Sequence, residues 1–118
     1  MALLPGRLGA AKERLAERYL RTHGLTTEAR NHRCRQGEID LVMRDGDTLV
    51  FVEVRYRRSE RYGSPAATVD ARKQRRLAAA AAHYLQRHPT MLCCRFDVVA
   101  ISGQDQIQWV KHAFSLDA

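Results

Sequence analysis

Long apolar runs are missing from this chain. No stretch approaches the roughly 18 consecutive apolar residues that a membrane-spanning helix needs. The opening segment, MALLPGRLGAAKERL, turns charged before an apolar core of signal-peptide length accumulates. A cytoplasmic protein with no membrane partner is therefore expected. Cysteine is scarce: Cys34, Cys93 and Cys94 are an odd count with an adjacent pair, which argues against a disulfide framework. No Cys-x-x-Cys occurs to hold zinc. The five histidines, His23, His32, His83, His88 and His112, lack the spacing of a helical metal site and read as surface or core residues. Internal repeats and low-complexity tracts are absent, apart from the alanine run 78–82, which suits a helix packed close to a sheet.

What is present is positive charge. The net charge is +7 over 118 residues, and only three of the 20 basic residues are lysine: Lys12, Lys73 and Lys111. A sequence pI of about 9.9 points to a polyanionic partner, nucleic acid above all. Arginine suits planar, two-pronged contacts to phosphate. The length fits one domain, 1–118, large enough to bury a core unaided.

Periodicity predicts a helix from about Pro5 to His23, with Leu15, Tyr19 and Leu20 on its apolar stripe and Gly24 ending it. An extended segment over Leu25–Cys34 follows. Gly37–Arg44 and Thr48–Arg57 alternate as strands joined at Asp45-Gly46, a strong hairpin signal. An exposed loop, 58–68, leads to a second helix, Asp70–Gln86, striped by Leu77, Ala81, Tyr84 and Leu85. Two strands, Cys94–Ser102 and Gln106–Phe114, close the chain. The implied architecture is α/β, a central mixed sheet flanked by helices.

The hairpin carries the chemistry. Alternation puts Ile39, Leu41 and Met43 on one face and Glu38, Asp40 and Val42 on the other; in the next strand Phe51, Glu53 and Arg55 share a face. A turn pairing Arg44 with Asp47 sets Ile39 opposite Val52 and Asp40 opposite Phe51. Asp40 and Glu53 then become diagonal neighbours, roughly 7–8 Å apart at the backbone. Two ionised carboxylates this close repel, and one takes up a proton unless a cation intervenes. Oxygen ligands alone select Mg²⁺ or Mn²⁺. The competing reading is a pair of solvent-facing acids balanced by nearby arginines.

Glu13 borders the buried face of the first helix with no basic residue at i±3 or i±4 to pair with, whereas Glu17, flanked by Arg14 and Arg21, reads as a solvated surface residue. Lys73 extends the inward stripe of the second helix, where free first-turn N–H groups suit an anion; a lysine snorkelling from the core edge is the equal alternative. Asp97 reads as structural, paired with an arginine. Arg57, Arg58, Arg61, Arg72, Arg75 and Arg76 form a basic run beside the carboxylates and are the candidate nucleic-acid contacts.

The segments ERLAERYL, GEIDLV, FVEVRYR, RYGSP and RFDVVAI, with Lys73, together resemble the YraN family of small bacterial proteins. The resemblance runs nearly end to end. It implies a restriction-endonuclease-like fold within the PD-(D/E)xK nuclease superfamily, whose pattern is an acidic residue followed by Glu-x-Lys on the next strand. Asp40 matches the first position and Glu53 the second, and Glu13 matches the helical acid of Holliday-junction-resolvase-like members. Arg55 departs from the pattern, standing where lysine is usual. The activity implied is Mg²⁺- or Mn²⁺-dependent hydrolysis of DNA, branched or structured forms included. Asp40, Glu53 and the Val54 carbonyl would be metal ligands, with Glu13, Arg55 and Lys73 assisting. A binding module of nuclease fold without turnover and a basic protein-interaction adaptor are the rival readings.

Overall fold

A computed structural model describes residues 7–57 and 69–115. Pro5 and the 58–68 loop, including Arg58 and Arg61, lie outside them. Helix α1 (Arg7–Thr22) is followed by β1 (Thr26–Cys34), β2 (Gly37–Asp45), β3 (Thr48–Arg57), α2 (Ala71–Arg87), β4 (Cys93–Ser102) and β5 (Ile107–Phe114). The strands form one mixed sheet in the order β1-β2-β3-β4-β5. Only β3 and β4 run parallel, because α2 carries the chain between them; the other neighbours are antiparallel.

Both helices are set by local signals. Gly24 takes φ +94°, and the Leu25 and Gly24 N–H groups donate to the Leu20 and Arg21 carbonyls, which closes the end of α1 in a Schellman motif. Asp70 caps α2, its side chain accepting from Lys73 N–H at 2.8 Å.

The sheet is buried on both faces. Leu49, Phe51, Val42 and Val98 pack with Leu77, Ala80, Ala81 and Tyr84 of α2. Val50, Val52, Leu41, Met43, Val99 and Ile101 pack with Ala16 and Leu20 of α1. The helices therefore cover opposite faces. This is the expected α/β architecture, compatible with a restriction-endonuclease-like fold. No described helix is long and apolar enough to cross a membrane.

Two details of the hairpin differ from the expectation. Asp45 pairs with Thr48 and Leu41 with Val52, a shift of two residues from the Arg44–Asp47 register. The turn residues are Gly46, at φ +61°, and Asp47. A two-residue slip preserves side-chain parity, so the faces survive while the partners change. Alternation also breaks at Asp40: Ile39 packs with the α2 cluster, as Val42 does, whereas Leu41 and Met43 pack with the α1 cluster. Asn31, across from it on β1, has φ +49°, a left-handed kink that few residues other than glycine adopt so readily.

Candidate metal centre and its basic surround

The β2–β3 ladder stops at Leu41–Val52 although both strands continue. Beyond that rung β2 stays with β1 as far as Gly37–Cys34, and β3 stays with β4 as far as Arg57–Ser102. The strands part, and Asp40 and Glu53, the next rung, stand directly across the opening rather than diagonally. Asp40 Oδ2 accepts a hydrogen bond from Val54 N–H at 2.8 Å, so a side chain replaces the missing ladder bond.

Both acids are buried, Asp40 at 7% and Glu53 at 5% exposure, which removes the solvent-facing reading. Burial raises the Asp40 pKa to about 9, and the Glu53 charge and a shared hydrogen bond add to it; the Val54 N–H works the other way, and Glu13 adds a smaller upward push. A carboxylate that must hold a proton to tolerate its neighbour is one that a cation can occupy instead. Two carboxylates plus backbone and water oxygens fit a hard divalent ion, which binds few protein ligands and keeps much of its hydration. Among the described residues no group of three or more His, Cys, Asp or Glu side chains comes together as a metal site, so the acids in the opening are a pair.

Cations close the other side of Glu53. Its Oε2 lies 3.4 Å from both Arg55 Nη1 and Lys73 Nζ. The sheet delivers Arg55 and the start of α2 delivers Lys73, as the sequence implied. The Lys73 amide, however, is spent on the Asp70 cap, and the Gln74 amide donates to the Asp70 carbonyl. Neither of these two amides is open to an anion, and what Lys73 turns toward Glu53 is its Nζ. Glu13 is half-buried and accepts from Asn31 Nδ2 at 2.8 Å, so it flanks Asp40 without joining a cluster. Arg57 is half-buried at the end of β3, and Arg72, Arg75 and Arg76 are exposed on the first turns of α2.

Glu17 corrects the sequence reading. It is 7% exposed, accepts from Thr27 Oγ1, and pairs with Arg30 through Nε at 2.9 Å and Nη2 at 2.7 Å. The Arg30 bond holds its pKa below the ordinary carboxylate range against the opposing effect of burial, and Thr27 helps. Helical periodicity saw only Arg14 and Arg21; Thr27 and Arg30 approach only when β1 docks. Asp97 is structural as expected: Arg95 grips it through Nε at 3.0 Å, Trp109 Nε1 donates at 2.9 Å and His112 N–H at 3.0 Å. His32 and His83 do meet, Nε2 to Nδ1 at 2.9 Å, a contact between β1 and α2 that sequence spacing could not reveal.

Residues 12–101 match the model of the family described as "Uncharacterised protein family UPF0102". Asp40, Glu53, Arg55 and Lys73 all fall inside that span. Among similar chains, an UPF0102 protein of Nitrosospira multiformis is 48% identical over 111 residues, covering 92% of this chain and 93% of its own. Another from Chromohalobacter salexigens is 50% identical, covering 92% and 90%, and one from Ralstonia nicotianae is 53% identical over 115 residues, covering 93% and 88%. With a buried acidic pair inside the matched span and relatives alike over nearly their whole length, the chain belongs to the UPF0102 family.

Proposed function

We propose that this protein is a metal-dependent endonuclease that hydrolyses DNA phosphodiesters, branched or structured DNA included. The observation that carries this reading is the buried Asp40–Glu53 pair in the opening between β2 and β3, with Arg55 and Lys73 against it. The resemblance to YraN proteins and to the PD-(D/E)xK pattern supports it from the sequence.

Asp40 Oδ1, Glu53 and the Val54 carbonyl are the groups that would hold Mg²⁺ or Mn²⁺. When bound, such an ion polarises a phosphoryl oxygen and lowers the pKa of water. The chain's own residues do the rest. The Val54 N–H fixes the Asp40 carboxylate so that one oxygen remains presented. Arg55 is permanently charged and cannot take a proton from water; it offers two N–H donors to a phosphate oxygen and stabilises the charge that develops there. Lys73 brings a second cation to Glu53 from α2, the place to which the role of a lysine at the Arg55 position would pass. Glu13, beside Asp40, orients water through its free carboxylate oxygen. The exposed Arg72, Arg75 and Arg76 hold flanking phosphates.

The test is a cleavage screen over linear, nicked, flapped and four-way DNA with Mg²⁺ or Mn²⁺. Nicking or cutting of at least one substrate is expected, with loss in Asp40→Asn. Binding of these substrates without cleavage under every metal condition would transfer the assignment to the binding-module reading.

A further inference from the structure

Helix α1 carries Arg14, Arg18 and Arg21 at spacings of four and three residues, so they share one outer face. All three are exposed. With Arg30 of β1 they line an open cleft over Glu17. A second cleft shares Arg14, Glu17 and Arg30 and runs on to Glu13, Asn31 and Leu41, beside Asp40.

The fold makes little use of this arrangement beyond the Arg21 charge, which helps to hold the Glu17 carboxylate ionised. Like charges at i, i+4 and i, i+3 weaken a helix. Glu17, the acid in the cleft that all three line, is turned inward and held by Thr27 and Arg30. None of Arg14, Arg18 and Arg21 forms a salt bridge to a described residue. Arg30 stays 60% exposed at its side chain despite its ion pair, so it keeps donors for a further anion.

The geometry points to a second nucleic-acid backbone site, in which the arginine face of α1 (Arg14, Arg18, Arg21 and Arg30) holds a strand whose phosphates lead through the Glu13–Asn31 cleft to the Asp40–Glu53 opening. Seven helical residues rise about 10 Å, which matches roughly three nucleotides of backbone advance. The α2 arginines cover the other face of the sheet. The substrate is thus gripped from both helical layers, with the acidic pair between the grips. A membrane surface fits poorly, because the apolar face of α1, Ala16 and Leu20, is already spent on the sheet and cannot insert.

This inference rests on the nucleic-acid reading above but not on turnover. The experiment follows the anisotropy of fluorescent single-stranded and duplex oligonucleotides across a salt series. It compares the parent chain with R14A/R18A/R21A and R72A/R75A/R76A. Alanine favours helix, so the α1 variant should melt no lower than the parent. Its log Kd against log salt should be shallower by about 2–3, from about 0.9 per lost phosphate contact, and its affinity at moderate salt at least tenfold weaker. The α2 variant should lose slope separately. Binding is read with chelator present, so absence of cleavage leaves the groove standing. Parent-like binding by R14A/R18A/R21A overturns the groove and leaves the nuclease reading untouched. Loss of binding to phosphatidylserine vesicles alone would reassign the face to membranes and overturn it too. No binding by the parent at low salt overturns both.

Discussion

Asp40 is the residue on which the chemistry turns, and its ionisation gives a direct prediction. Its folded pKa is raised, from an ordinary 3.8 to about 9. In the metal-free protein the folded state therefore holds a proton that the unfolded state releases. Stability from this group is complete below about pH 4 and is lost as pH rises through about 9. Asp40→Asn keeps the protonated shape without the titration. With chelator present, its Tm should exceed the parent's at pH 8 and match it at pH 4; a parallel pH dependence in both would place the titrating group elsewhere. At Arg55, charge rather than proton transfer is required, so Arg55→Lys should retain much of any cleavage and Arg55→Ala should lose on the order of 10²-fold in rate. Parent-level rates in both Arg55→Ala and Lys73→Ala would remove both cations from catalysis. Asp97 serves packing: its side chain is fully buried and binds Arg95, Trp109 and the His112 amide. Asp97→Ala should cost about 3 kcal/mol or more in denaturant unfolding, since it leaves the half of Arg95 not held by Asp45 without its counter-charge.

Among the elements, the hairpin and α2 together build the site, and they come close at Gly37. A Cβ there would meet the Arg76 carbonyl oxygen at 2.7 Å. Gly37→Ala should push α2 outward, carrying Lys73 from Glu53, with roughly 1–3 kcal/mol lost as for other overpacked sites. Unchanged stability together with an unchanged site would mean that α2 is more loosely seated than its contacts indicate. Both helices and β2 to β4 were legible from periodicity and turn residues, because their buried faces repeat at their own periods, Leu77, Ala81 and Tyr84 on α2 and Val50 and Val52 on β3; β1, polar and nowhere fully buried, was expected only as an extended segment. The acidic pair was legible as well, since parity survives a slip of two. Register was not. Asp45-Gly46 names a turn, yet whether the turn holds Asp45 or Asp47 depends on which rungs the β1 and β4 neighbours complete. The break in alternation at Asp40 was equally hidden, for it lies across from the left-handed Asn31 on a different strand. Burial of Glu17 and the meeting of His32 with His83 depend on docking between elements and leave no local trace.

At the scale of the whole molecule, a sheet covered on both faces leaves few places for chemistry. The opening between β2 and β3 is where two carboxylates and two cations come together, with the cleft that holds Arg14 and Arg30 running up to Leu41 beside it. A net charge of +7 surrounds a buried pair of acids, an arrangement that draws in a polyanion and leaves the pair to a cation. That division of charge makes metal occupancy the central claim. The measurement is a Mn²⁺ titration of chelator-stripped protein, read as Tm, for the parent and for D40A/E53A. The parent's Tm should climb with Mn²⁺ and saturate, because the ion binds only the folded state. The double variant should fold and show no climb, its crowded carboxylates gone. A saturating rise that persists in D40A/E53A, or no rise in the parent at millimolar Mn²⁺, would contradict a shared divalent site at Asp40 and Glu53.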